Sequence, residues 1–572
     1  MTPGANHRTV GAASRFSAVQ LQCRLAKNGF MDWTHFGVPA CLPKSTGHLT
    51  SCGVGSDCPQ LSCNFNIKTD IVARRGFLRA IGTALFLHSP NCSPNCSRIL
   101  FPAIAMSTTP LAPANPQAES WLVQIPLEVL IRITYFISTR DLSNVRLSCK
   151  ALEQGVFSFF SHEFFRKKQF MVSTDSLQAL VDISKHPTLS PYLKHVIIST
   201  DRPKLNNWVQ DRNDEVRACL EVAASDHMQL LATGGLRDML VEAFANLTNL
   251  ETVDIRDFNS RSRNRDGLGS QWKSYGAVAM AVSTGAPVSP GATTDQDPYT
   301  TQLFSAVTAA LATAQARPKS IEVLLRSGTS WRPFALHDTA FYIPPRMEAS
   351  MSPLLAGLKS LHLSLALTHS TRMRPFMIQK FLSLTPNLTW LRLNFSNTTK
   401  NDSESVLAWL ALKDGQSPAT PIDMDPIRLD HLERLDLGSN EIEQGTLVKL
   451  VAKFAPTLIS LYLRRVSLLD LADHTREVKS NPWEICLRAM SKMPNLNLRA
   501  LDLSSIAVSS LRFRANVTFK TAETSKPASD WNCSTNRLTL DKAIAQTVDA
   551  MTVEWPHIDS MDGMYSPMSV SS

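Results

Sequence analysis

Eleven cysteines and fourteen histidines are the residues of this chain best suited to metal or nucleophilic chemistry, and their spacing argues against both. Seven cysteines, Cys23, Cys41, Cys52, Cys58, Cys63, Cys92 and Cys96, crowd into the first 105 residues, while Cys149, Cys219, Cys486 and Cys533 are scattered over the rest. The spacings Cys52-x5-Cys58-x4-Cys63 and Cys92-x3-Cys96 contain no matched pair of C-x2-C knuckles, the arrangement that closes a tetrahedral zinc site. The histidines stand singly, and Asp254 with Asp257 does not make a catalytic carboxylate pair. Phosphate loops of the G-x-x-x-x-G-K-[ST] or G-x-G-x-x-G type are missing, as are the zinc helix H-E-x-x-H and the nucleophile elbow G-x-S-x-G. The expectation is a non-enzymatic protein with no cofactor and no metal, whose work is done by surfaces that bind.

Charge narrows the kind of partner. The formal total is +9, yet residues 1–105 hold ten Lys/Arg against three acids, so +7 sits there and +2 remains for the other 467 residues. A main body so nearly neutral does not call for nucleic acid or an acidic membrane. No run approaches the roughly 18 uncharged apolar residues of a membrane span, and the sparse cysteines beyond residue 105 fit a reducing compartment, the cytoplasm or nucleus. The sequons Asn246-Leu247-Thr248, Asn387-Leu388-Thr389 and Asn516-Val517-Thr518 are read as fortuitous, since the chain opens on no signal peptide.

The elements that would present such surfaces begin late. Residues 1–118 show no period of 3.6 or 2, contain no Glu before Glu119 and end in a Pro-rich stretch, Pro110 to Pro116; a disordered, basic, Cys-rich segment is expected. Arg74-Arg75-Gly76-Phe77-Leu78 has the form of a twin-arginine signal but lies too far from the start. Composition changes just after Met106, which makes that residue a candidate start of the working chain. Residues 119–170 read as a compact helical block, 171–192 as a connecting helix, and 193–515 as helices alternating with short apolar strands. Long surface loops are expected at 256–276 and 286–298, and a disordered tail at 516–572.

In the helical block, Pro126 suits a first helical turn and Glu128 the positive end of its dipole. Leu127, Leu130, Ile131, Ile133, Tyr135 and Phe136 make this helix, expected to run to Ile137, apolar around most of its circumference, more than one buried stripe requires. Asp141 is the expected cap of a second helix, with Leu142, Val145 and Cys149 on its buried face. A third segment runs through Leu152 and Val156 into an aromatic cluster, Phe157 to Phe165, before the basic run Arg166-Lys167-Lys168, read as a solvated face.

These residues resemble an F-box. Ile125-Pro126-Leu127-Glu128-Val129-Leu130 follows the family's opening L-P-x-E-hydrophobic-hydrophobic pattern with Ile for Leu. Asp141-Leu142 and Val145-Arg146-Leu147-Ser148-Cys149-Lys150-x-Leu152 follow its second and third helices. The resemblance implies a docking module for the Skp-family linker and, through it, the cullin of an SCF-type ubiquitin ligase. Ile125, Pro126, Leu127, Leu130, Ile131, Ile133, Leu142, Val145 and Cys149 are then the expected linker contacts. Burying four or five such side chains gains about 6 to 15 kcal/mol gross, enough to offset the cost of association.

Beyond the block, the pattern L-x-x-L-x-L recurs five times, at Leu358/Leu361/Leu363, Leu388/Leu391/Leu393, Leu432/Leu435/Leu437, Leu458/Leu461/Leu463 and Leu498/Leu501/Leu503. Looser copies stand at Leu193/Val196/Ile198, Leu250/Val253/Ile255 and Ile321/Val323. Helical spacing and a stop precede several copies, as in Leu447, Leu450, Val451 and Phe454 ending at Pro456. One helix and one strand per unit resembles a leucine-rich repeat, and the implied fold class is an α+β or α/β solenoid behind a three-helix F-box. The middle positions are separated by 57, 68, 40, 30, 44, 26 and 40 residues, so the solenoid is expected to be irregular. Asn440 alone fills the family's Asn position, where its amide is expected to satisfy loop backbone groups. In such a solenoid the intervening strand residues line a concave face: His362, Trp390, Arg392, Arg434, Asp436, Tyr462 and Asp502 are the candidate contacts to a protein target.

Together the two resemblances imply a substrate receptor of an SCF-type ligase, of a kind widespread in filamentous fungi. A cullin-independent F-box scaffold is the alternative, and a secreted or organellar repeat protein that uses the sequons and the cysteine-rich head is a third.

Overall fold

The computed structural model describes residues 121–203, 214–261, 264–267, 270–285, 288–290, 298–326, 335–367, 376–395, 400–416, 424–469, 481–510, 513–520, 527–534 and 539–555. The segment 1–118 and Met106 lie outside them. The chain divides into two compact units, Met1–Phe159 and Phe160–Ser572.

The first unit is built from α1 (Trp121–Gln124), α2 (Leu127–Thr134), α3 (Thr139–Ser148) and the start of α4 (Lys150–Phe165). Pro126 stands one residue before α2 rather than inside its first turn, and its carbonyl accepts from the N–H groups of Val129 and Leu130. The helix stops at Thr134, short of the expected Ile137, where the Thr134 hydroxyl donates back to the Ile131 carbonyl at 2.7 Å. Ser138, not Asp141, caps α3. Its hydroxyl accepts from the Asp141 N–H at 3.1 Å and donates to the Asp141 carboxylate at 2.8 Å, a reciprocal arrangement that the Ser-x-x-acid spacing favours. Leu122, Leu130, Ile137, Leu142, Val145, Leu152 and Val156 form the core. Residue 155 is glycine where α4 lies against α2; a Cβ there would sit 3.6 Å from both Leu127 and Leu130.

The second unit is mixed α/β around a 13-stranded sheet. Its first nine strands are β1 (Lys167–Phe170), β2 (His195–Ser199), β3 (Thr252–Arg256), β4 (Ser320–Leu324), β5 (Ser360–Leu365), β6 (Trp390–Phe395), β7 (Arg434–Glu443), β8 (Ser460–Leu469) and β9 (Ala500–Ser504). Each pairs in parallel with the next in sequence, as a chain that inserts a helix between strands must do. Val196, Val253, Ile321, Leu361, Leu391, Leu435, Leu461 and Leu501 stand opposite one another from β2 to β9. All eight are buried, and with Leu363, Leu393, Leu437, Leu463 and Leu503 they make the spine of the core. The long steps of the repeat hold two helices, Asp214–Ala232 with Gly235–Asn246 and then Ala277–Thr284 with Tyr299–Thr313. The shorter ones hold one, as with Gln444–Phe454 between β7 and β8.

Ser439, Arg465 and Ser505 all adopt left-handed backbone, with φ of 52°, 55° and 52°. They follow Gly438, Arg464 and Ser504, which share one register row, so the same kink recurs in three neighbouring strands. Each such non-glycine residue costs about 1 kcal/mol. Beyond the kink the ladder resumes with Asn440 opposite Val466, and Ser467 opposite Ala507 in β10 (Ala507–Ser509).

Four boundaries differ from the sequence expectation. The ladder begins at Lys167, inside the basic run expected to be solvated, because the run alternates into a strand: Lys168 pairs with Val196 and its ammonium stands 4.8 Å from the Phe165 ring centroid. Thr174–Lys185 is the expected connecting helix. Within 256–276, Ser260–Arg261 pairs with Gln271–Trp272, so the segment is not a bare loop; of 286–298, Ser289–Pro290 pairs with Asp201–Arg202, and 286–287 and 291–297 lie outside the described residues. The tail expected to be disordered from 516 instead carries β11 (Arg514–Phe519), β12 (Asp530–Ser534), a helix at Leu540–Ala550 and β13 (Met551–Val553). The free edges of β9 and β10 explain this, since their unpaired backbone groups are met antiparallel by β12 and β11. Ala515, Val517 and Phe519 alternate inward, and the Trp531 ring stacks on Phe519 at 5.4 Å.

Candidate interaction surfaces

In the first unit the expected linker contacts separate into two groups. Leu130, Leu142 and Val145 are buried in the unit's own core, so they hold its helices together instead of facing a partner. A compact helical hairpin needs an inward stripe of its own, and these residues supply it. Pro126, Leu127 and Cys149 are exposed, and Ile125, Ile131 and Ile133 are half-buried. The exposed apolar surface is wider than expected and includes Trp121, Val123, Val129, Tyr135, Phe136 and Leu147 beside Leu127. Phe136 is 67% exposed and Leu147 69%. Seven of the twelve large apolar side chains left exposed among the described residues thus fall within 121–147. Scattered singly they would need no explanation; concentrated within one small unit they are a feature that the packing of the unit itself does not account for. Leu147 was legible in the sequence, since it falls off the 142/145/149 stripe and had nothing within the hairpin to bury it.

On the sheet, the residues between the leucines share one register row: Ile197, Asp254, Glu322, His362, Arg392, Asp436, Tyr462 and Asp502. Two residues earlier, in the preceding row of the same face, Trp390 and Arg434 stand opposite each other. The pleat sends both rows to the face away from the leucine spine. The seven expected target contacts therefore do come together, but they do not all face outward. His362 and Asp436 are buried; Trp390, Arg392, Arg434, Tyr462 and Asp502 remain partly accessible.

Much of this face is occupied by its own contacts. The Arg434 guanidinium lies between two aromatic rings, 4.0 Å from Trp390 and 3.9 Å from Tyr462, and it donates two hydrogen bonds to Asp436 at 2.8 and 3.0 Å. Burial alone would lower Arg434; the hydrogen bonds and charge of Asp436 outweigh it and hold the guanidinium above its ordinary value. Trp390 also meets the His362 ring edge to face at 4.2 Å. Burial and the charges of Arg392 and Arg434 push His362 down to about 3, and the Glu322 carboxylate 3.8 Å away does not offset them. Asn532 donates to Asp502 at 3.1 Å. Arg392 differs: its side chain makes no hydrogen bond, ion pair or ring contact with the described residues.

Towards the N-terminal strands the same face carries charges not singled out from sequence. Asp254 is fully buried and receives Arg256 Nε, with His195 Nε2 at 3.3 Å; Arg256 also lies 4.0 Å from Glu322. Burial lowers His195 and Lys167 and raises Glu322, the last reinforced by the negative charge of Asp254. The intervening positions of the looser repeats, 254 and 322, were the signal that places them here. Asn440, expected to satisfy loop backbone, is instead buried with neither amide atom hydrogen-bonded, because the kink at Ser439 turns it into the core row opposite Val466.

Among the described residues no group of three or more His, Cys, Asp or Glu is placed to hold a metal ion, and no helix is long and apolar enough to cross a membrane. No family model matches the chain, and no curated protein matches it.

Proposed function

We propose that this chain is the substrate receptor of an SCF-type ubiquitin ligase. In this proposal residues 121–159 act as an F-box that docks the Skp-family linker, and the second unit is an irregular leucine-rich-repeat solenoid that holds a protein target. One observation carries the proposal: a small helical unit that leaves seven large apolar side chains exposed over 27 residues is joined to a ladder whose other face is lined with polar and aromatic groups. The first surface suits a permanent apolar partner, and the second a polar one that comes and goes. The ligase chemistry belongs to the assembly, and this chain contributes two binding surfaces and no catalytic group. The setting would be the cytoplasm or nucleus, where cullin assemblies work.

The linker would lie on Leu127, Val129, Tyr135, Phe136 and Leu147, with Pro126, Ile125, Ile131, Ile133 and Cys149 at its margins. Affinity purification of the tagged chain from its own cells, followed by mass spectrometry, tests the proposal. Linker and cullin together support it. Linker without cullin favours the scaffold, and the absence of both overturns the F-box assignment.

A further inference from the structure

The residues immediately before β1 to β5 already belong to the backbone ladder. The N–H of Lys194 donates to the Arg166 carbonyl, that of Glu251 to Lys194, that of Lys319 to Glu251 and that of Lys359 to Lys319. These turns therefore stand side by side along the rim where the strands begin, and four of the five residues are basic. Neighbouring strands lie about 4.8 Å apart, so the stripe from Arg166 to Lys359 is about 19 Å long. In the same row beyond it come Thr389, which is neutral, and Glu433, which ends the basic stretch.

Little within the fold neutralises this charge. Lys194 and Glu251 pair at 2.9 Å. Arg166, Lys319 and Lys359 are exposed, and their side chains make no hydrogen bond or ion pair with the described residues. Two positions earlier in the turns stand Asn249, Arg317 and Gly357, none of them acidic. Arg317 is exposed as well and lies beside the next turn, where a Cβ on Gly357 would stand 3.9 Å from Arg317 Cδ. Glu251 registers the resulting field. The hydrogen bond from Lys194 holds its carboxyl below the ordinary value, and the charges of Lys194, Lys319 and Arg166 add to this while burial opposes it.

We propose that this rim docks an acidic helix of a partner protein, with Arg166, Lys319 and Lys359 as its principal contacts. Carboxylates three or four residues apart on one helix face recur about every 5.4 Å, close to the spacing of the strands, and about 13 helical residues span the stripe. Two other polyanions fit less well. Single-stranded nucleic acid is held by stacking on aromatic rings as well as by charge, and a membrane surface by apolar side chains that enter it. Among the described residues, none of the large apolar or aromatic side chains left exposed lies in these turns. The rim lies on the opposite side of the leucine positions from the strand ends, apart from the residues expected to hold a target, and the proposal does not rest on the receptor assignment.

The full chain is titrated at low salt with three fluorescent, covalently stapled helical peptides: one with Glu at every third or fourth position on one face, one of the same composition with Glu scattered around the helix, and one with Gln for Glu. Polyuridylate and phosphatidylserine vesicles are titrated in parallel. The aligned peptide is expected to bind at least about fivefold tighter than the other two and to weaken as salt rises. Lys319→Glu with Lys359→Glu should weaken it at least about tenfold, and Lys319→Gln with Lys359→Gln by less. Arg499→Gln, at the far end of the same row, should leave it unchanged. All these side chains are exposed, so amide exchange of the ladder should stay at the wild-type rate in every variant. Equal binding of the aligned and scattered peptides, or full binding by the Lys319→Glu, Lys359→Glu chain, overturns the proposal. So does tighter binding of polyuridylate or of the vesicles than of the aligned peptide, which would assign the rim to nucleic acid or to a membrane.

Discussion

Leu142 and Leu147 lie on the same helix and look alike in sequence, yet one is fully buried and the other 69% exposed. Leu142→Ala removes a side chain from a core of seven apolar residues and should destabilise the first unit by about 2 to 5 kcal/mol. That is of the order of all the stability so small a unit holds, so its helices should open locally. At about 1.4 kcal/mol per factor of ten, amide exchange across residues 139–156 should rise at least about thirtyfold. Leu147→Ala removes an exposed side chain and should stay within about 0.5 kcal/mol, an exchange change near twofold. Hydrogen exchange read by mass spectrometry on the full chain resolves both, because it follows peptides of the first unit apart from the ladder. Comparable exchange in the two variants, or no rise for Leu142→Ala, would refute the division between residues that hold the unit and residues that present its surface.

Asn440→Val should raise the urea midpoint, because it replaces a buried amide with two unsatisfied atoms, each costing about 1 to 3 kcal/mol, by the residue type that stands opposite at Val466; a lower midpoint would mean that a bound water satisfies the amide. His362 titrates near 3 in the fold and near 6.5 unfolded, so the unfolded chain binds the extra proton and stability should fall as pH drops from about 6.5 towards 3. His362→Gln should flatten that part of the stability profile, and an unchanged profile would exclude His362 as its source. Iodoacetamide on the native chain should alkylate the exposed Cys149 and spare Cys486, whose buried thiol is pushed up to about 12; equal labelling would contradict the packing around Cys486.

The leucine ladder was legible because burial against helices demands an apolar residue at the same strand position every time. The eight positions from Val196 to Leu501 recur in sequence and stand in one register row in the fold. Elements governed by other forces were not legible. The left-handed residues at 439, 465 and 505 are Ser, Arg and Ser, none of which announces a positive φ as glycine would. The strands after 513 were missed because each is only three to six residues long and their pairing answers an edge created far upstream. On the polar face, sequence found which residues share a row but not which neutralise one another. Arg392 and Arg434 read alike until Asp436, Trp390 and Tyr462 are seen to enclose only the second.

The central claim is that the exposed apolar surface of residues 121–147 docks a Skp-family linker, and direct titration of the purified full chain with purified linker tests it. Phe136 and Leu147 are both about two-thirds exposed, and covering them should contribute about 1 to 2 kcal/mol each. The wild-type chain should bind, and Phe136→Ala with Leu147→Ala should weaken binding by about thirtyfold to a thousandfold while first-unit exchange stays at the wild-type rate. No binding by the wild-type chain, or equal binding by the double variant, would contradict the claim.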